Sequence, residues 1–189
     1  MTGPTRLPLA APRDAIVELC AFRVGNEEYV IDLRRIREIL QPLPIVPVPR
    51  APEFVDGVVN LRGEVIPVVD VRKRLGLSPR PGARAKVLVV DVAGRTLGLV
   101  VDGVTEVVRL PRSDIGPPPA LVAAAGPRLF LGVCGAGGER RTPGGGATRA
   151  AAKGAAPRLR LLLNVKALFE PATPAAAAAV RELAAAGAA

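Results

Sequence analysis

The side chains able to do chemistry are few, and their types exclude most of it. The 189-residue chain contains no histidine. A Ser–His–Asp triad, a histidine general base and a histidine-held metal are therefore ruled out. The two cysteines, Cys20 and Cys134, lie far apart and form no CxxC spacing. No thiolate zinc site is expected from them, and without an imidazole partner neither suits nucleophilic catalysis. They are expected as free thiols in a reducing cytoplasm. Asp56, Asp70, Asp91 and Asp102 are the acids that could form a carboxylate pair. Each falls at or near a strand end or turn, where Asp commonly accepts from backbone donors. "GAGGER" (135–140) is glycine-rich, but no helix follows to supply a dipole, and no GxxxxGK[ST] occurs. No catalytic residue, metal ligand or cofactor is expected.

What remains is interaction chemistry, and it centres on "NLRG", residues 60–63. Two β-branched runs, "GVVNL" and "EVIPVVDV", meet there. Asn60 and Gly63 tolerate the backbone angles of a tight bend and are expected to form the turn. Arg62 would then be lifted to the rim of an apolar surface. Its planar donor fork could pair with a carboxylate and be offered to a partner. Glu38, in "RIREIL", is a candidate for that carboxylate.

The elements that must position these residues read as strands. "IVELCAFRV" (16–24) alternates, "GNEE" is a turn signal, and "YVIDL" resumes. "RRIREIL" (34–40) reads as a helical turn feeding a strand, with Ile36 and Ile39 pointing inward. "QPLPIVPVPRAP" holds five prolines and must be an extended connector. "RKRLGL" is a short helical turn closed by Gly76. "AKVLVVDV" and "TLGLVVDGVTEVVRL" are long strands about a tight turn. Asp102-Gly103 is either a hairpin turn or a bulge. "PRLFLGVCG" and "RLRLLLNV" are further strands, and "KALF" is a helical turn. Residues 1–14 form a Pro/Ala-rich disordered tail, and 135–157 a flexible Gly/Ala/Arg-rich insertion. In 171–189, Thr173 as N-cap, Pro174 and Gly187 predict a C-terminal Ala-rich helix. The class is mainly β.

The net charge of +9 raises nucleic acid as a partner, but residues 135–160 carry +5 of it and the rest only +4. That basic stretch has no aromatic residue for base stacking. An OB-like β-barrel binding single-stranded nucleic acid is therefore the alternative reading. No apolar run reaches the roughly 18 residues of a membrane span, and the N-terminus has no signal-peptide core. A cytoplasmic protein without direct membrane insertion is expected.

"GVVNLRGEVIPVVDVRKRLGL" (57–77) resembles the signature of the CheW family of chemotaxis coupling proteins. "FRVGNEEYVIDLRRIREIL" (22–40), "PVPRAPEFVDGVVNLRG" (47–63), "LGLVVDGVTEVVRLPRSDIGPPP" (97–119) and "RLLLNVKALF" (160–169) are similar to further family segments, in the family's order. The resemblance covers 16–170 apart from the insertion, which is longer and more basic than the family's usual turn. It implies a CheW-like domain over 15–170, built as two small five-stranded, SH3-like β-barrels packed together. It implies a non-catalytic adaptor that bridges the cytoplasmic tips of chemoreceptors to the regulatory domain of the histidine kinase CheA, and that is recruited to receptor arrays. By motif position, Ile36, Glu38 and Arg62 would contribute to the receptor face, with Leu33, Val100, Val101 and Asp102 as weaker candidates. It assigns no kinase-binding residue. Neither the receiver domain of the CheV type nor the kinase modules of CheA are read in this sequence.

Overall fold

A computed structural model describes residues 14–78, 85–120, 122, 129–135, 140–141, 147–148 and 159–169. The tail up to residue 13, most of the 135–157 stretch and the expected C-terminal helix lie outside the described residues. The elements run β1 (Ile16–Val24), β2 (Glu27–Asp32), a 3-10 turn (Leu33–Arg35), β3 (Ile36–Leu40), β4 (Val55–Leu61), β5 (Glu64–Asp70) and α1 (Val71–Arg74). They continue with β6 (Lys86–Val92), β7 (Arg95–Val101), β8 (Gly103–Pro111), β9 (Phe130–Gly135), β10 (Arg140–Arg141), β11 (Ala147–Thr148), β12 (Leu159–Leu163) and α2 (Val165–Phe169).

Two five-stranded sheets result, in the orders β8-β1-β2-β12-β9 and β3-β6-β7-β5-β4. We call them the first and second sheets. β10 and β11 pair with each other inside the basic stretch. The first sheet is made from the two ends of the fold, and the second from the chain between them. Asp102 alone separates β7 from β8, which lie in different sheets. It is therefore neither the hairpin turn nor the bulge that the sequence offered, but the crossing point.

Long apolar runs form these strands because each sheet is covered on both faces. Alternate residues enter different cores, as the period of two requires. In β1, Cys20, Phe22 and Val24 face a central core shared with the second sheet, including Leu88, Val90 and Leu99. Leu19 and Ala21 face a separate core with Val30, Leu110 and Cys134. In the second sheet, Val59, Ile66, Val68 and Val89 form a third. The central core therefore welds the sheets, and the other two fill the hollow of each.

The expected closed barrels need correction, since neither ladder closes. In each, the chain beyond one edge strand makes one isolated bridge to the opposite edge, Val46 to Val58 and Gly116 to Val133. The reason lies in the prolines. Pro42, Pro44, Pro47 and Pro49 follow β3, and Pro117–Pro119 follow Gly116; proline has no N–H to extend a ladder. The sheets still curl strongly. Arg160 on β12 reaches Glu28 on β2 at 2.9 Å and Glu106 on β8, three strands away, at 2.5 Å.

Ile39 also departs from expectation, being 46% exposed rather than inward. A register shift between Ile36 and Glu38 turns it out.

Cys20 and Cys134 are free and buried, in different cores on opposite faces of the first sheet. Burial pushes both thiols up, with Arg160 partly opposing this at Cys134. Reductant should leave the melting curve unchanged, and thiol reagents should label both residues only on unfolding. A clear drop in melting temperature on reduction would contradict this.

Candidate functional site

β4 and β5 are joined by a two-residue loop, Arg62-Gly63. Both residues have positive φ, 54° and 93°. Positive φ at both central positions is the signature of a type I′ hairpin turn, whose twist suits the flanking strands. Asn60 stays in β4, and its Oδ1 accepts the Gly63 N–H at 2.9 Å. Asn60 thus supports the turn without adopting the strained backbone. The β6–β7 hairpin repeats the device: Ala93 and Gly94 have positive φ, and Asp91 accepts the Gly94 N–H at 3.0 Å.

An arginine in the left-handed region costs on the order of 1–2 kcal/mol that glycine or asparagine would largely avoid. Arg62 bears that cost with its side chain 80% exposed. Its Nη2 donates to Glu38 Oε2 at 3.0 Å. β3 and β4 are opposite edges of the sheet, so this pair spans the seam, as the Val46–Val58 bridge does. Arg37 beside it donates to Asp91 at 2.6 Å and to Thr96 Oγ1 at 2.9 Å. Arg37, Glu38, Leu61, Arg62, Glu64, Val89 and Thr96 surround a shallow hollow of about 500 Å³. Leu33 and Ile36, offered for the same face, do not line this hollow. Both pack on the central core instead.

The remaining candidates are elsewhere. β5 and β7 run parallel, and both start from the two hairpin turns. Val100 and Val101 end β7 and Asp102 follows, so all three lie at the opposite end of the sheet from Arg62. Val100 packs on the third core, and Val101 is buried in the central one. Asp102 is engaged: its carboxylate accepts from Arg72 Nε at 2.7 Å, from a terminal Arg72 nitrogen, and from the Gly25 N–H at 2.7 Å.

Burial opposes the Asp102 charge, yet Arg72 and Gly25 outweigh it and hold the carboxyl below the usual carboxylate range. Its unfolded value is about 3.9. Its contribution to stability is therefore present above that value and lost as pH falls through the lower folded value. Asp102→Asn should weaken the protein at neutral pH and flatten the acid limb of stability against pH. An unchanged acid limb would contradict the assignment.

The chain matches the family model for the CheW-like domain over residues 18–172. The chain belongs to the CheW family. It is 41% identical over 107 residues to the chemotaxis protein CheW of Rhizobium meliloti (strain 1021), covering 56% of this chain and 69% of that one. It is 36% identical over 133 residues to protein FrzA of Myxococcus xanthus, covering 70% and 82%. The crystal structure of the scaffolding protein TtCheW from Thermoanaerobacter tengcongensis superposes with a TM-score of 0.67 at 26% identity, covering 84% and 95%.

CheW membership makes this chain a chemotaxis scaffold and not an enzyme. The CheW fold also disfavours the nucleic-acid reading in physical terms. The five aromatic residues (Phe22, Tyr29, Phe54, Phe130 and Phe169) are all described, and none is exposed. No stacking platform is left for bases. Among the described residues, no helix is long and apolar enough to cross a membrane. Sequence reasoning missed Arg72, Arg74 and Arg160, each of which joins distant elements. For Arg160 a signal existed: it is a lone cation inside "LRLLL".

Proposed function

We propose that this chain couples the cytoplasmic tip of a chemoreceptor to the regulatory domain of CheA, recruited to receptor arrays, with the Arg62 turn as the receptor contact. The observation that carries the reading is the strained, exposed placement of Arg62. The turn itself asks for no long side chain, as Ala93 in the equivalent place of the β6–β7 hairpin shows, and a residue serving the core would be buried. The guanidinium keeps most of its donors free while Glu38 orients it, so it can donate to a partner carboxylate in a fork geometry. Glu38 and Arg62 form the centre of this face. Leu33 and Ile36 support β3 from below, and Val100–Asp102 serve the joint between the sheets.

The test is to titrate the purified chain by calorimetry against a receptor-tip helical hairpin and against the CheA regulatory domain. Binding to both, together and without competition, supports the coupler. Failure to bind either one overturns it. A salt-sensitive affinity for oligonucleotides in place of these partners would restore the nucleic-acid reading.

A further inference from the structure

α1 is a single turn of four residues, Val71–Arg74, capped by Asp70, whose Oδ1 accepts the Arg72 N–H at 2.7 Å. Its three cations have three separate destinations. Lys73 pairs with Asp56 on β4 at 2.6 Å and so fixes α1 to its own sheet. Arg72 holds Asp102, which in turn accepts the Gly25 N–H from the β1–β2 turn and donates its own N–H to the Arg23 carbonyl at 2.9 Å. Arg74 donates to the carbonyls of Leu168 at 2.9 Å and Ala167 at 3.2 Å in α2, with its guanidinium 5.1 Å over the Phe54 ring. The β1–β2 turn and α2 both belong to the first sheet's side of the molecule. α1 therefore grips that sheet at two separated points while anchored to the other.

We propose that α1 is a two-point clamp that fixes the angle between the two sheets. The central core holds the sheets together, but apolar attraction is non-directional and does not by itself select one angle between them. Fork hydrogen bonds have a fixed direction. The Arg72–Asp102 pair has side chains only 11% and 12% exposed. Measured against a well-packed apolar replacement a pair so buried adds little stability, but it can specify one arrangement against near alternatives. Two grips at different places also resist rotation, which one grip would allow. Surfaces carried by the two sheets are thereby held in one mutual geometry.

The experiment is a distance measurement between spin labels at Arg95→Cys, on the second sheet, and Ser113→Cys, beyond β8 of the first. Both positions are exposed, and the native cysteines are buried. The unmodified clamp should give one narrow distance. Arg72→Leu combined with Arg74→Leu should broaden or shift it while the circular dichroism of the sheets is kept. Arg72→Lys, which keeps the charge and loses the fork, should broaden it less. A distribution unchanged in both variants overturns the proposal. So does loss of fold in the double variant accompanied by an unchanged distance in Arg72→Lys, since α1 would then serve stability and not angle.

Discussion

Gly57→Ala should destabilise the protein by about 3–5 kcal/mol, from backbone strain and two broken hydrogen bonds. Gly57 has a φ of 147° beside the register shift in β4. A Cβ there would lie 2.1 Å from the Val46 carbonyl oxygen and 2.8 Å from its carbon. That contact is with backbone, so no rotamer change relieves it. Val46 cannot retreat without breaking its bonds to Val58, 2.8 and 2.9 Å long, which span the open seam of the second sheet. Pro44 and Pro47 stiffen the segment further. Gly63→Ala is the control. It has positive φ but open space around it, so strain alone should cost about 1–2 kcal/mol. Urea denaturation of both variants separates the effects. Equal losses would mean that the seam contact contributes nothing.

Arg160→Ala should cost a similar amount, about 3–5 kcal/mol, the range for breaking a buried ion pair. The Arg160 side chain is 7% exposed and holds Glu28 and Glu106 together across the mouth of the first sheet. Truncation removes the buried cation that both carboxylates bind, beside a buried thiol. The cost belongs to an unbalanced network and not to a missing attraction. Replacing Arg160, Glu28 and Glu106 together by apolar residues should recover most of it. If the triple variant were as unstable as Arg160→Ala, the network would be a net source of stability and this account of it would be wrong.

Local patterns were readable in the sequence wherever local chemistry decides the outcome. β1 ends where the alternation ends, the proline connector is extended, and the Arg62-Gly63 turn falls between its two β-branched runs. The partner of Arg62 was also legible, because Glu38 is the acid of a strand beside other candidates. Ile39 was misplaced because a register shift reverses its face, and no periodicity records a bulge. Closure of the sheets was misjudged because a seam depends on which prolines meet which edge in space. Asp102 was placed with Arg62 by its motif. Its real partner, Arg72, is 30 residues earlier and comes near it because β5 and β7 run parallel. Such pairings of distant strands are a property of topology, to which a single sequence gives little access.

The central claim is that Arg62 is positioned for a partner and not for the fold. The direct measurement titrates Arg62→Ala against a receptor-tip hairpin and against the CheA regulatory domain, with a melt of the same sample. The exposed ion pair contributes little to folding, so stability should change by less than about 1 kcal/mol. Receptor-tip affinity should fall by about 1–3 kcal/mol, and kinase-domain affinity should hold. Unchanged receptor affinity would contradict the claim, and so would an unfolded variant, which would make Arg62 a structural residue of the second sheet's seam.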